Sequence, residues 1–128
     1  MVTSQIILYA LIALAAFLFL RRTLRVRSLK EYGPSDIDRL LKTKNDFVLL
    51  DVRTDAERHT GSIKSSIHIP LQSLRTRLTE LEKYKAREII CYCQTGSRSV
   101  SAALLLRGKG FTVANLRGGM TDWNFSNR

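Results

Sequence analysis

Among 128 residues there are only two cysteines, Cys91 and Cys93, one residue apart. A disulfide framework needs more cysteines at wider spacing, so none is expected here. Two thiols in an otherwise cysteine-free chain suit a reducing compartment better than a secreted one. The two histidines, His59 and His68, have no metal-ligand spacing with the cysteines, so no metal site is expected and both read as surface or internally satisfied residues. There are no internal repeats and no low-complexity tracts. Aromatic and basic residues are not interleaved as a nucleic-acid surface requires, so no nucleic-acid partner is expected.

Acidic residues are missing altogether from residues 1–27. Residues 6–20, IILYALIALAAFLFL, carry no charge and run into Arg21, Arg22, Arg25 and Arg27. Counted from Met1, the uncharged stretch would form a helix of about 30 Å, enough for a bilayer core. A signal peptide is the competing reading, but it needs a basic segment in front and a small-residue cleavage site behind. Neither is present, so residues 1–20 are expected to be an uncleaved transmembrane anchor. A buried core helix is a third reading, disfavoured because about a hundred residues remain to form a domain without it. The arginines after the run place the rest of the chain on the cytoplasmic side of the cell membrane, in a single-pass arrangement.

The anchor and its basic segment, 1–27, hold four of the 21 basic residues, which leaves 17 basic and 11 acidic residues in a domain spanning 28–128. A basic domain attracts anions. An apolar content of 45% is ordinary for a folded chain.

From residue 28 the pattern alternates. Gly33-Pro34 opens a helix with a stripe of Ile37, Leu40 and Leu41. FVLLDV, 47–52, is an unbroken apolar run of the kind buried on both faces of a sheet. Residues 66–69 read as a short strand stopped by Pro70. Leu71, Leu74, Leu78 and Leu81 form one further helical stripe. Residues 88–92 are a second buried strand. Ser97 to Arg107 is a helix facing inward through Val100, Ala103, Leu104 and Leu106. Residues 111–116 are a third strand, and Gly118-Gly119 turns into a closing segment with Trp123 as a core plug. The expected fold is α/β, a mostly parallel sheet flanked by helices on both faces and preceded by one transmembrane helix.

The strongest local signal is Cys93-Gln94-Thr95-Gly96-Ser97-Arg98-Ser99, set between a buried strand and an amphipathic helix. Ligands of open α/β sheets bind beyond the carboxyl ends of the strands, where Cys93 falls. Gly96 lets the loop bend tightly. Backbone N–H groups and the positive end of the helix can converge above the sulfur, and Arg98 adds a cation. Such surroundings lower a thiol pKa and make the thiolate a major form. Cys91, inside the strand, reads as an inert packed thiol.

Four stretches together resemble the rhodanese family. Asp51-Val52-Arg53 with Glu57 is similar to its D-V-R-x-x-x-E signature, and Gly61-Ser62-Ile63 with 67–70 to its G-H-I…N-I-P stretch. Cys93 to Arg98 is similar to its C-x-x-G-x-R active loop, and Gly118-Gly119-Met120 with Trp123 to its closing G-G-x…W. Ser62 departs from the usual His, and Ser65-Ser66 from the usual small pair. The resemblance spans nearly all of 30–125. It implies a sulfurtransferase that moves sulfane sulfur through a persulfide on Cys93, with no cofactor. It implies that Gln94, Thr95, Gly96, Ser97 and Arg98 hold the transferred sulfur and a small anionic donor such as thiosulfate. It also implies that Asp51, Arg53 and Glu57 support the site. The acceptor would be a thiol or a protein. Related phosphatases use a loop one residue longer; the loop here has the sulfur-transferring length. A phosphatase or arsenate reductase, and a non-enzymatic module docking a membrane partner, are the rival readings.

Overall fold

The structure is a computed structural model that describes residues 1–43 and 46–128. Helix α1 covers Val2–Arg27, and none of its residues is buried. The domain follows in the order β1 (Glu31–Tyr32), α2 (Pro34–Thr43), β2 (Phe47–Asp51), α3 (Asp55–His59), β3 (Ile67–His68), α4 (Leu71–Leu74), a 3₁₀ helix (Leu78–Tyr84), β4 (Glu88–Tyr92), α5 (Ser97–Gly108), β5 (Val113–Leu116) and α6 (Gly119–Ser126). The five strands form one sheet ordered β1-β5-β4-β2-β3, with every neighbouring pair parallel. The α/β fold read from the sequence is therefore present.

Alternation along β4 explains why its run is apolar throughout. Ile89, Cys91 and then Cys93 face one cluster, shared with Ala102, Ala103 and Leu106 of α5 and with Leu74 and Leu81. Ile90 and Tyr92 face the other, shared with Ile37 of α2 and Met120 of α6. A strand between two helical layers has no face to give to water.

The leucine stripe from Leu71 to Leu81 is not one helix. Ser73 directs its carbonyl to both the N–H and the hydroxyl of Thr76, and Arg77 N–H bonds Leu74 O. These i to i+3 contacts end α4 before the 3₁₀ turn begins, while Leu74 and Leu81 still reach the core. On α5 the buried residues are Ser99, Ala102, Ala103 and Leu106, whereas Val100 and Leu104 are half-buried, so its inward face is rotated from the expected one. Trp123 is also half-buried, against the α2 and α6 side of the core. Two short elements, β1 and α3, have no counterpart in the pattern reading.

Candidate active site

Cys93 is the first residue past β4, at the carboxyl edge of the sheet, and its side chain is fully buried. The chain turns at Gly96, where φ is 102°, and enters α5 at Ser97. Most L side chains resist that backbone conformation, which is why glycine occupies the corner. The turn brings Gly96 N–H back to Cys93 Sγ at 3.1 Å. One helical turn later, Ser99 Oγ lies 3.4 Å from the same sulfur. Burial pushes the Cys93 thiol up. The Ser99 hydroxyl and the backbone N–H groups of Ser99, Gly96 and Thr95 outweigh it and leave the pKa below the ordinary thiol range.

Cys91 shows what the same strand does without those donors. It is equally buried, and desolvation pushes its thiol up to about 12. The two thiols thus differ, with hydrogen-bond donors lowering the Cys93 pKa and burial raising that of Cys91, which packs as a small hydrophobe.

Ser99 is itself oriented, donating to Asn115 Oδ1 at 2.6 Å in a buried contact. A serine hydroxyl has one proton. While it goes to Asn115, Ser99 Oγ can accept from a Cys93 thiol; when Cys93 is a thiolate, the proton can turn to the sulfur. In the sequence Ser99 only closed the stretch that begins at Cys93, with no role of its own, and Asn115 was not singled out. Asn115 did leave a signal: it is the one polar residue in the strand Val113–Leu116.

The closing segment supports the loop from below. Met120 N–H bonds Cys93 O at 2.9 Å and Thr121 N–H bonds Gln94 O at 3.0 Å. The first turn of α6 thereby uses its free N–H groups on the carbonyls that come just after β4. Gly119 must be glycine for this approach, since a Cβ there would overlap Cys93 O and meet Gln94 C at 2.8 Å.

Of the residues expected to support the site, Asp51 and Arg53 are buried and Glu57 is half-buried. Arg53 is 1% exposed and pairs with Asp51, Nη2 to Oδ2 at 2.9 Å. Burial raises the Asp51 carboxyl, but the Arg53 hydrogen bonds outweigh that and hold it below the usual carboxylate range. Arg53 also donates to Gly61 O, Glu57 O and Gln94 Oε1 at 2.6, 3.2 and 3.2 Å. His68 Nε2 is satisfied on Arg53 O at 2.7 Å.

Arg98 does not touch the sulfur. Both its Nη atoms donate to Glu57, each at 2.7 Å. That bidentate pairing, helped by hydrogen bonds from Thr54, lowers the Glu57 carboxyl to about 2. Thr95 and Ser97 are exposed at the rim, and Gln94 is half-buried between Arg53 and Thr121. Among the described residues, no three His, Cys, Asp or Glu side chains come together to hold a metal ion.

The family model of the rhodanese-like domain matches residues 34–126, which takes in every element from α2 to α6. The chain belongs to the rhodanese-like family. Similar proteins include a sulfurtransferase of Allochromatium vinosum, 33% identical over 94 residues, with 73% of this chain and 86% of the relative covered. A putative sulfurtransferase of Bacillus subtilis, YtwF, is 30% identical, covering 74% and 90%. Among solved structures, a rhodanese-related protein of Thermoplasma volcanium superposes with a TM-score of 0.69 at 29% identity, covering 76% of this chain and 92% of that one. A thiosulfate sulfurtransferase of Pseudomonas aeruginosa also gives a TM-score of 0.69 at 29% identity, but this chain spans only 20% of it. The rhodanese-like domain thus sits among sulfurtransferases. Helix α1, outside the matched residues, is long and apolar enough to cross a membrane, a test that a signal sequence near an N-terminus also passes.

Proposed function

We propose that this rhodanese-like protein is a sulfurtransferase that carries sulfane sulfur as a Cys93 persulfide. The observation that supports it most is the contrast between the two thiols: Gly96 N–H and Ser99 surround the sulfur of Cys93, while Cys91 has only apolar packing. In the first half-reaction the Cys93 thiolate attacks the outer sulfur of a donor such as thiosulfate. The new S–S bond forms as the bond to the sulfonate breaks, and sulfite leaves with that electron pair. Donor and thiolate together carry three negative charges, as do persulfide and sulfite. In the second, a thiolate acceptor takes the outer sulfur and restores the Cys93 thiolate. The donors that favour the thiolate also suit the anionic persulfide, so one cradle serves both states.

The test is intact-mass spectrometry of the protein after thiosulfate treatment and removal of excess donor. One added sulfur on wild type, absent in Cys93→Ser and lost on adding a thiol, is the expected result. No added mass on folded wild type would point instead to a docking module.

The second part of the reading places α1 across the cell membrane with the domain in the cytoplasm. At 26 residues, α1 is about 39 Å long, more than a bilayer core requires. Arg21, Arg22, Arg25 and Arg27 at its carboxyl end favour the cytoplasmic face. Carbonate-washed membranes should retain the chain, and protease should reach the domain only in inside-out vesicles. Digestion in intact cells would reverse the orientation.

A further inference from the structure

A cavity of about 430 Å³ lies where the end of α1 meets the end of α5. Arg21, Arg22 and Arg25 line it from the helix side and Arg107 from the domain, with Leu18 and Leu104 as its apolar wall. Four arginines therefore line one space. Among the described residues none of the four has an acidic partner within 4.0 Å. Arg107 is held in place by two contacts across the junction, Nη1 to Ser28 Oγ and Nη2 to Arg25 O, both at 3.1 Å. Uncompensated cations gathered around a cavity favour an anionic occupant, and guanidinium groups match phosphate oxygens in geometry.

The position of the cavity along the chain selects the occupant. Leu18 belongs to the uncharged run, and Arg21 and Arg22 come directly after Leu20. If α1 spans a bilayer, as proposed above, Leu18 lies at the acyl level and the arginines at the level of lipid phosphates. An amphiphile with an anionic head and an apolar tail fits both walls; a free inorganic anion would use only one. We propose that this cavity binds the headgroup phosphate of an anionic phospholipid, clamping the domain to the membrane through Arg107.

Arg107 is the informative residue, because it comes from the domain and not from the juxtamembrane segment that draws anionic lipid in any such protein. The full chain in detergent micelles is mixed with equal amounts of phosphatidylglycerol and phosphatidylcholine, and retained lipid is weighed by native mass spectrometry. Wild type is expected to retain one phosphatidylglycerol in preference. R107Q should cut that preference about fivefold, the effect of one basic residue at a membrane surface. S28A removes one junction contact without removing charge and should keep it. Equal retention of the two lipids by wild type, or equal losses in S28A and R107Q, overturns the headgroup site. A parallel sample with excess inorganic phosphate separates the sources: a phosphate adduct replacing the lipid marks a soluble-anion site and also overturns it. Carbonate extraction keeps the two readings apart. Protein in the washed supernatant overturns the anchor and the lipid site together, whereas membrane-retained protein with no lipid preference overturns the site alone.

Discussion

Arg98 and Glu57, 41 residues apart, are joined by two hydrogen bonds of 2.7 Å that tie the start of α5, just after the Cys93 loop, to α3. Glu57 also completes the cap of α3 through Thr54, so one carboxylate fastens α3 to the start of α5.

The pair makes stability depend on pH with a definite sign. The Glu57 carboxyl falls from 4.5 to about 2 on folding. Its contribution is thus complete above about pH 4.5 and is lost as pH falls through about 2. Both side chains are partly exposed, so solvent screening limits the pair to about 1 kcal/mol. Urea unfolding should show Glu57→Gln less stable than wild type by that amount at neutral pH. The gap should narrow steadily as the pH is lowered toward 2.

Arg98→Ala should weaken transfer from thiosulfate while leaving the circular dichroism spectrum intact. Losing one oxyanion donor commonly costs about a hundredfold in rate. Here Glu57 already offsets much of the charge, so the expected loss in kcat/KM is about tenfold. Unchanged kinetics would leave anion binding to the loop backbone.

Replacing each cysteine should separate chemistry from packing. Cys93→Ser is expected to abolish sulfur transfer. Cys91→Ala should keep it and lose about 1 kcal/mol of stability, the usual scale for a core truncation of this size. Comparable loss of activity in both folded variants would contradict the assignment of the nucleophile.

Ser99 should report itself through pH rather than through affinity. Its hydroxyl and N–H are among the groups that lower the Cys93 pKa. Ser99→Ala removes the hydroxyl, so the acidic limb of the kcat/KM profile should move to higher pH. A merely structural serine would lower the rate equally at every pH. Asn115→Leu, which frees the Ser99 proton from its present acceptor, should not move the limb upward.

Gly119→Ala tests the support beneath the loop. The added methyl would collide with the Cys93 carbonyl, and the α6 turn and the loop must part to admit it. A displacement approaching 1 Å at a reacting group can cost about a hundredfold in rate. The measurement is kcat/KM beside a thermal melt; wild-type activity would show that the loop does not need α6.

What was legible in the sequence was whatever repeats over several residues or sits at a fixed spacing. The runs 47–52 and 88–92 read as buried strands, and the interval from Cys93 to Arg98 set the loop. β1 was not legible, because two residues carry no period. Its pairing depends on Asn115 N–H reaching Lys30 O and Arg117 N–H reaching Tyr32 O from far along the chain. α3 is also too short for periodicity, although Thr54 and Glu57 spelled its capping box. At the site, Arg98 was expected to add a cation to the loop, and its pairing with Glu57 comes from a segment the loop spacing cannot see. Ser99 had no role assigned because its partner Asn115 comes from β5, sixteen residues along the chain.

The burial of Cys91 bears on oxidation. Many oxidant-sensitive cysteines are rescued by a second thiolate in the same chain, which attacks the sulfenic acid, expels hydroxide and forms a disulfide that an external thiol then reduces. Cys91 lies on the same face of the sheet as Cys93, yet at a pKa of about 12 it supplies almost no thiolate at neutral pH. There is no other cysteine in the sequence. A sulfenic acid on Cys93 therefore meets no second thiolate within this sequence, and its return to the thiol falls to a thiol from outside the chain.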